Sequence, residues 1–260
     1  MKILLMVVTL MVFASSTSLA KIQSEVVEYR QGDAVLEGYL AYDDSFKGLR
    51  PGVLVVHDWT GVGPYVKART KQLASLGYIA FAPDIYGKGI HPTDPKEAAK
   101  TAGIYKNDRI LMRLRANAGL TVLRNYPQVD QGRIAAIGYC FGGTTVLELA
   151  RSGANIAAVV SFHGNLDTPL PEDARNIRGK VLVLHGGEDP FVPPTEVSAF
   201  ENEMRNAGVD WQLVTYGGAV HSFTNPDSGD DKTKGAAYNR QADKRSFEAM
   251  KAFFQEVFAE

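Results

Sequence analysis

The chain has 260 residues, 45% of them hydrophobic and 22% charged, with a formal net charge of -1 at pH 7. That length suffices for one α/β domain with a sizeable core. The near-neutral balance offers no basic stripe to neutralise phosphates, which excludes a nucleic-acid binder, and one cysteine, Cys140, excludes an intramolecular disulfide.

The first twenty residues form a leader. Met1-Lys2 supplies a short positive start, Ile3 to Ala14 is apolar, and Ser18-Leu19-Ala20 fits the small-x-small rule for cleavage. The apolar run is too short to span a bilayer comfortably, and no cysteine follows it that would take a lipid anchor. Residues 1–20 are therefore expected to be removed. The remainder, 21–260, is expected as a single domain in the periplasm or secreted, with no stable membrane anchor.

From Ser24 the pattern is β. Val26, Val27 and Tyr29, then Val35, Leu36, Leu40 and Ala41, flank a Gln31-Gly32-Asp33 turn and predict an antiparallel hairpin at a sheet edge. Val53 to Val56 is continuously apolar, the sign of a strand buried on both faces. A helix is expected from about Pro64 to Leu76, and a strand from Tyr78 to Ala82. Tyr86 to Thr101, rich in Gly, Pro, Lys and His, predicts a mobile loop over one end of the sheet. A helix over about 106–124 carries Arg109, Arg113 and Arg115, which read as a solvated face. Further strands are expected at Ala157–Phe162, Lys180–His185 and Trp211–Tyr216, with helices from Pro194 to about Ala207 and from Asp243 to Phe258. Residues 225–242 predict a polar insertion, read as plain loop in preference to a cap over the site or a cation-binding segment. Alternating strands and helices imply a mostly parallel, doubly wound sheet, whose ligand crevice lies beyond the carboxyl ends of the strands.

Chemistry is therefore sought just after strands. Ile134 to Thr145 (I-A-A-I-G-Y-C-F-G-G-T-T) reads as strand, sharp turn and helix with a thiol at the tip. It has the G-x-S-x-G form of a nucleophile elbow with Cys140 in place of Ser. A helix N-terminus there favours thiolate over thiol. Gly186-Gly187 turn the chain so that Asp189 can point back across the strand ends, with Glu188 as the fallback. His221 sits in the loop after the last strand, placed to act as general base. The order nucleophile, acid, histidine is that of an α/β-hydrolase. The Trp59 and Phe141 backbone N–H groups are the candidate oxyanion donors. Asp58 is either a carboxylate standing behind the thiol or a turn and N-cap residue. His163, after its own strand, is expected to hydrogen-bond rather than to catalyse.

The elbow G-Y-C-F-G-G, the acid loop H-G-G-E-D-P-F-V-P and the histidine loop G-G-A-V-H-S-F resemble the three signatures of the dienelactone hydrolase family, over nearly the whole of 21–260. The resemblance implies an α/β-hydrolase fold and a Cys140, Asp189, His221 triad that cleaves carboxylic esters or lactones through an acyl-thioester. It also implies a Glu behind the resting thiol, where this chain has Asp58, and substrate-gripping arginines, one of them where this chain has Thr224-Asn225. No metal or organic cofactor is expected, and the partner is a small ester or lactone met by a monomer. The same triad would also serve a thioesterase or a broad short-chain carboxylesterase. A rival of another class is a non-catalytic binding protein whose thiol senses redox state.

Overall fold

The computed structural model describes residues 22–259. The expected leader, residues 1–20, lies outside them. No helix among the described residues is long and apolar enough to cross a membrane.

Eight strands form one sheet. They are β1 (Ile22–Gln31), β2 (Ala34–Asp43), β3 (Arg50–Val56), β4 (Ile79–Ala82), β5 (Val129–Tyr139), β6 (Ala158–Phe162), β7 (Lys180–Gly186) and β8 (Trp211–Tyr216). Their spatial order is β1-β2-β4-β3-β5-β6-β7-β8. β1 and β2 make the expected antiparallel edge hairpin, and β2 pairs antiparallel with β4; every later pairing is parallel.

Strand pleating divides the core in two. Leu54 and Val56 of β3 and Ala136 of β5 face one cluster, while Val53, Val55 and Ile137 face the other. Side chains alternate across a strand, so an apolar run without alternation needs cover on both faces. The cover on the second face comes from α1 (Pro64–Ala74) and α6 (Arg240–Val257), through Val66, Leu73, Met250 and Phe254. On the first face lie α2 (Pro95–Asn107), α3 (Arg109–Arg124), α4 (Phe141–Arg151) and α5 (Pro194–Ala207).

Three helix boundaries differ from expectation. The stretch 86–101 is only partly loop, because α2 starts at Pro95. Asp94 accepts the Glu97 N–H (2.9 Å) and Glu97 accepts the Thr93 N–H (3.1 Å), a reciprocal cap that outweighs the loop-like composition. The helix expected over 106–124 is two helices, broken at Asp108, whose carboxylate accepts the Leu111 N–H (2.9 Å) and caps α3. α6 begins three residues early because Asn239 caps it through the Gln241 and Ala242 N–H groups.

Candidate active site

Each candidate residue follows a strand at its carboxyl end. β5 runs into Cys140, which is the N-cap of α4 and takes φ 54°, ψ -116°. A non-glycine residue there costs on the order of 1–3 kcal/mol, which the surroundings must hold in place. The glycines on either side allow it. A Cβ on Gly138 would lie 2.0 Å from the Gly142 carbonyl oxygen, and one on Gly142 would lie 2.3 Å from the Val56 carbonyl oxygen. Strand, turn and helix approach so closely that no side chain fits at either position.

Beyond β8, His221 turns its ring toward the elbow. Its Nδ1–H donates to Asp189 Oδ2 (2.8 Å), and its Nε2 stands 3.0 Å from Cys140 Sγ. With the proton on Nδ1, Nε2 is free to accept one from the thiol. Asp189 is buried, and its other oxygen accepts the Phe191 N–H (2.9 Å), so both oxygens are occupied and the carboxylate cannot swing away. Glu188 is exposed, and Asp189 is the acid that the loop brings to His221. Burial opposes the charged imidazolium of His221. The Cys140 sulfur and the Asp189 carboxylate more than offset that and raise it to about 10. Phe191, half exposed, lies edge-on to the His221 ring at 5.4 Å.

The loop after β3 carries the other candidates. Neither the Trp59 nor the Phe141 backbone N–H donates to a protein acceptor among the described residues. The Trp59 carbonyl is held by the Tyr86 hydroxyl (3.2 Å), and Trp59 itself is 38% exposed, at the rim. Asp58 accepts the Thr60 N–H (2.9 Å) and the Thr60 hydroxyl (2.5 Å) on one oxygen, the geometry of a turn residue.

Sequence reasoning passed over His57. It is fully buried, its Nδ1–H donates to the Asp58 carbonyl (2.6 Å), and its Nε2 accepts the Ile85 N–H (3.2 Å). Its ring stacks on Phe141 at 5.8 Å. One side chain thus ties together the loops that carry both free N–H groups. Its position directly after a buried strand was the available signal. His163 is hydrogen-bonded, as expected, through both ring nitrogens.

The three arginines of α3 do not line a solvated face. Arg109 is buried and donates to Asp167 (2.8 Å); Arg113 donates to Glu148 (2.8 Å) and Asp173 (2.5 Å). Arg115 is buried with Nε and Nη1 unpartnered. At the place where the resemblance implies an arginine, the Thr224 hydroxyl and carbonyl bond to protein groups instead.

Comparison with known proteins shows the family. The profile of the dienelactone hydrolase family matches residues 36–258. The chain belongs to that family. It is accordingly an α/β-hydrolase that acts on carboxylic esters. A dienelactone hydrolase-like promiscuous phosphotriesterase from metagenomic libraries is 39% identical in sequence, with a TM-score of 0.86, covering 91% of this chain and 98% of its own. A putative carboxymethylenebutenolidase of Aquifex aeolicus is 29% identical over 215 residues, 77% of this chain and 87% of that protein. A putative dienelactone hydrolase from Klebsiella pneumoniae, 22% identical, shares the fold with a TM-score of 0.76 over 90% of this chain and 99% of its own.

Proposed function

We propose that this dienelactone hydrolase family member cleaves a small ester or lactone with Cys140 as nucleophile, His221 as general base and acid, and Asp189 as the group that orients His221. The observation that carries the reading is the unbroken line Sγ, Nε2, Nδ1, Oδ2, with contacts of 3.0 and 2.8 Å.

The thiol proton rests on His221 Nε2, and Cys140 Sγ bonds as the thiolate to the carbonyl carbon. The carbonyl oxygen becomes an oxyanion, facing the Trp59 and Phe141 N–H groups, which are aimed where charge develops. Collapse breaks the carbon–oxygen ester bond, His221 returns the proton to the leaving alkoxide, and a thioester remains. In a lactone the alcohol stays tethered to the acyl group. Water then attacks the thioester and gives its proton to His221, and the sulfur leaves as the thiolate, which restores the pair. The raised His221 imidazolium suits both halves, since it can wait charged beside an anionic sulfur.

The test uses a panel of short p-nitrophenyl esters under reducing conditions. Cys140→Ala and His221→Ala are each expected to lower kcat on the order of 10³-fold or more. Mass spectrometry of the rapidly quenched wild type is expected to show an acyl adduct on Cys140. Unchanged turnover in Cys140→Ala overturns the assignment. Absence of turnover in every protein, with reversible oxidation at Cys140, moves the reading to a redox sensor.

The likeness to a promiscuous phosphotriesterase supports a second reading, in which the same thiol displaces an aryloxide from a neutral phosphotriester. Loss of that turnover together with esterase turnover in Cys140→Ala would place both on one site. The leader at residues 1–20 supports export. An N-terminus near Lys21 on protein recovered from the periplasm tests it.

A further inference from the structure

We propose that His163 is a positioning residue that locks the nucleophile turn to the loop carrying His221. The Cys140 backbone N–H is shared between the Phe162 carbonyl (3.0 Å) and His163 Nδ1 (3.1 Å), and His163 donates from Nε2–H to the Thr224 hydroxyl (2.7 Å). The inference rests on the assignment of Cys140 and His221 above, but its deciding readout is thiol reactivity rather than ester turnover.

The tautomer follows from the backbone. An amide N–H can only donate, so Nδ1 must be the acceptor and Nε2 must carry the proton. A second proton on the ring would set one N–H against another. Burial holds the imidazolium well below its usual range, and the neighbouring His221 charge lowers it further. The ring is 2% exposed and packed edge-on against His221 (5.4 Å) and Phe223 (5.0 Å).

The backbone is bent to achieve this. His163 has φ 40°, in the left-handed region, and so has Ser222 at φ 56°. Non-glycine residues take such angles at a cost, so other contacts must hold them. The Ser222 bend belongs to the loop that turns both the His221 ring and the Thr224 hydroxyl toward the elbow.

Thr224 is anchored on its far side as well. Its hydroxyl lies 2.6 Å from the Tyr65 hydroxyl, which accepts from Arg69 Nε (3.3 Å). Arg69 Nη2 donates to the Thr224 carbonyl (2.6 Å) and to Asp243 (2.5 Å). His221 therefore takes its ring plane from Asp189, and its loop is held by a chain that begins at the nucleophile's own amide. A side chain that only filled space would need none of these polar partners. Displacing a reacting group by about 1 Å can cost on the order of 100-fold in rate, so a lock of this kind has a measurable effect.

The test separates the two hydrogen bonds. Asn places an oxygen near Nδ1, so His163→Asn keeps the Cys140 bond and loses Thr224. Gln places an amide near Nε2, so His163→Gln keeps Thr224 and leaves the Cys140 N–H to the Phe162 carbonyl alone. His163→Phe loses both, and Thr224→Val removes the hydroxyl. For folded variants, checked by circular dichroism, kcat and KM on p-nitrophenyl acetate are measured beside the pH dependence of Cys140 alkylation by iodoacetamide. The other titratable groups around the pair are Asp58, Tyr86, Tyr139, His185, Asp189 and Arg69, and none is altered by these changes.

His163→Phe and Thr224→Val are expected to lower kcat about 10- to 100-fold with KM within about twofold. Their alkylation profile is expected to move to higher pH, because the imidazolium no longer sits against the sulfur. His163→Asn and His163→Gln are expected to fall between these and the wild type. Wild-type alkylation profiles in folded Thr224→Val and His163→Asn overturn the proposal, even if turnover falls. If wild-type protein turns over no ester, the catalytic reading fails separately, and the alkylation profiles still decide this one. Should His163→Phe not fold, Thr224→Val and His163→Asn decide it.

Discussion

Asp58 shows how one carboxylate can be kept for its shape rather than its charge. Its oxygen accepts two hydrogen bonds from Thr60 and so closes the turn that holds Trp59 at the rim. The carbonyl of the same residue receives the His57 Nδ1–H, so both ends of Asp58 serve the loop. An Asn oxygen can accept the same two bonds, whereas Ala can accept neither. Asp58→Asn is therefore expected to keep kcat within about threefold, and Asp58→Ala to lose about tenfold or more, the scale of partly removing one oxyanion donor. Steady-state kinetics on a p-nitrophenyl ester checks this. A loss as large in Asp58→Asn as in Asp58→Ala would mean that the negative charge acts on the thiol, as the Glu implied by the family resemblance would.

At the scale of elements, α4 is held from below by ions that the sequence pattern conceals. Arg151, wholly buried near its C-terminus, donates to both oxygens of Glu203 on α5 (2.8 Å each), to Glu148 (3.0 Å) and to the Leu166 carbonyl (3.0 Å). Glu148 in turn accepts from Arg113 on α3. Burial raises the Glu203 carboxyl, with Arg151 opposing that rise. Removing one partner of such a pair strands a buried charge, which costs about 3–5 kcal/mol. Glu203→Ala is expected to lose stability on that scale in urea unfolding, with turnover per folded molecule kept within a few-fold. A loss under about 1 kcal/mol would mean that Glu148 alone satisfies Arg151. Arg109 and Arg113 of α3 looked like a solvated face because their partners lie 35 to 60 residues away in the chain: Asp167, Glu148 and Asp173. No local periodicity encodes such a pairing. The elbow, the acid loop and the histidine loop were legible for the opposite reason. Each is a short run of apolar strand, glycine and reactive residue, complete within about ten positions. The start of α2 lay between these cases: Thr93, Asp94, Pro95 and Glu97 form a readable cap, but the surrounding Gly, Lys and His outweighed it. His57, His163, Thr224 and Tyr65 form a third case, since their roles exist only once separate strand ends meet.

Across the whole molecule, the fold gathers four of its five histidines, His57, His163, His185 and His221, at or just beyond the carboxyl ends of the strands. Their burial gives stability a pH dependence of definite sign. Burial lowers His57 and His163 from the ordinary value near 6.5, so the native state resists protons that the unfolded chain accepts. Below about pH 6.5 the unfolded state binds more protons, and stability falls as the solution is acidified. The slope is up to about 1.4 kcal/mol per pH unit for each ring, or about 2.7 for the two together. His185 adds to this with the same sign but less weight, being more accessible to water. His221 acts in the other window. Raised to about 10, it keeps its proton in the folded state where the unfolded chain releases it, so its contribution fades as pH climbs toward 10. Well below 6.5, by about pH 5.5, it is charged in both states and adds almost no slope. Urea midpoints taken between about pH 4.5 and 5.5 isolate the first window. His57→Gln, with an amide that can bond in place of the ring, is expected to flatten the slope there by about one proton relative to wild type. An identical slope in both proteins would mean that the native His57 ring already carries a second proton. Its Nε2 could then not accept the Ile85 N–H, and the neutral tautomer assigned to it would be wrong.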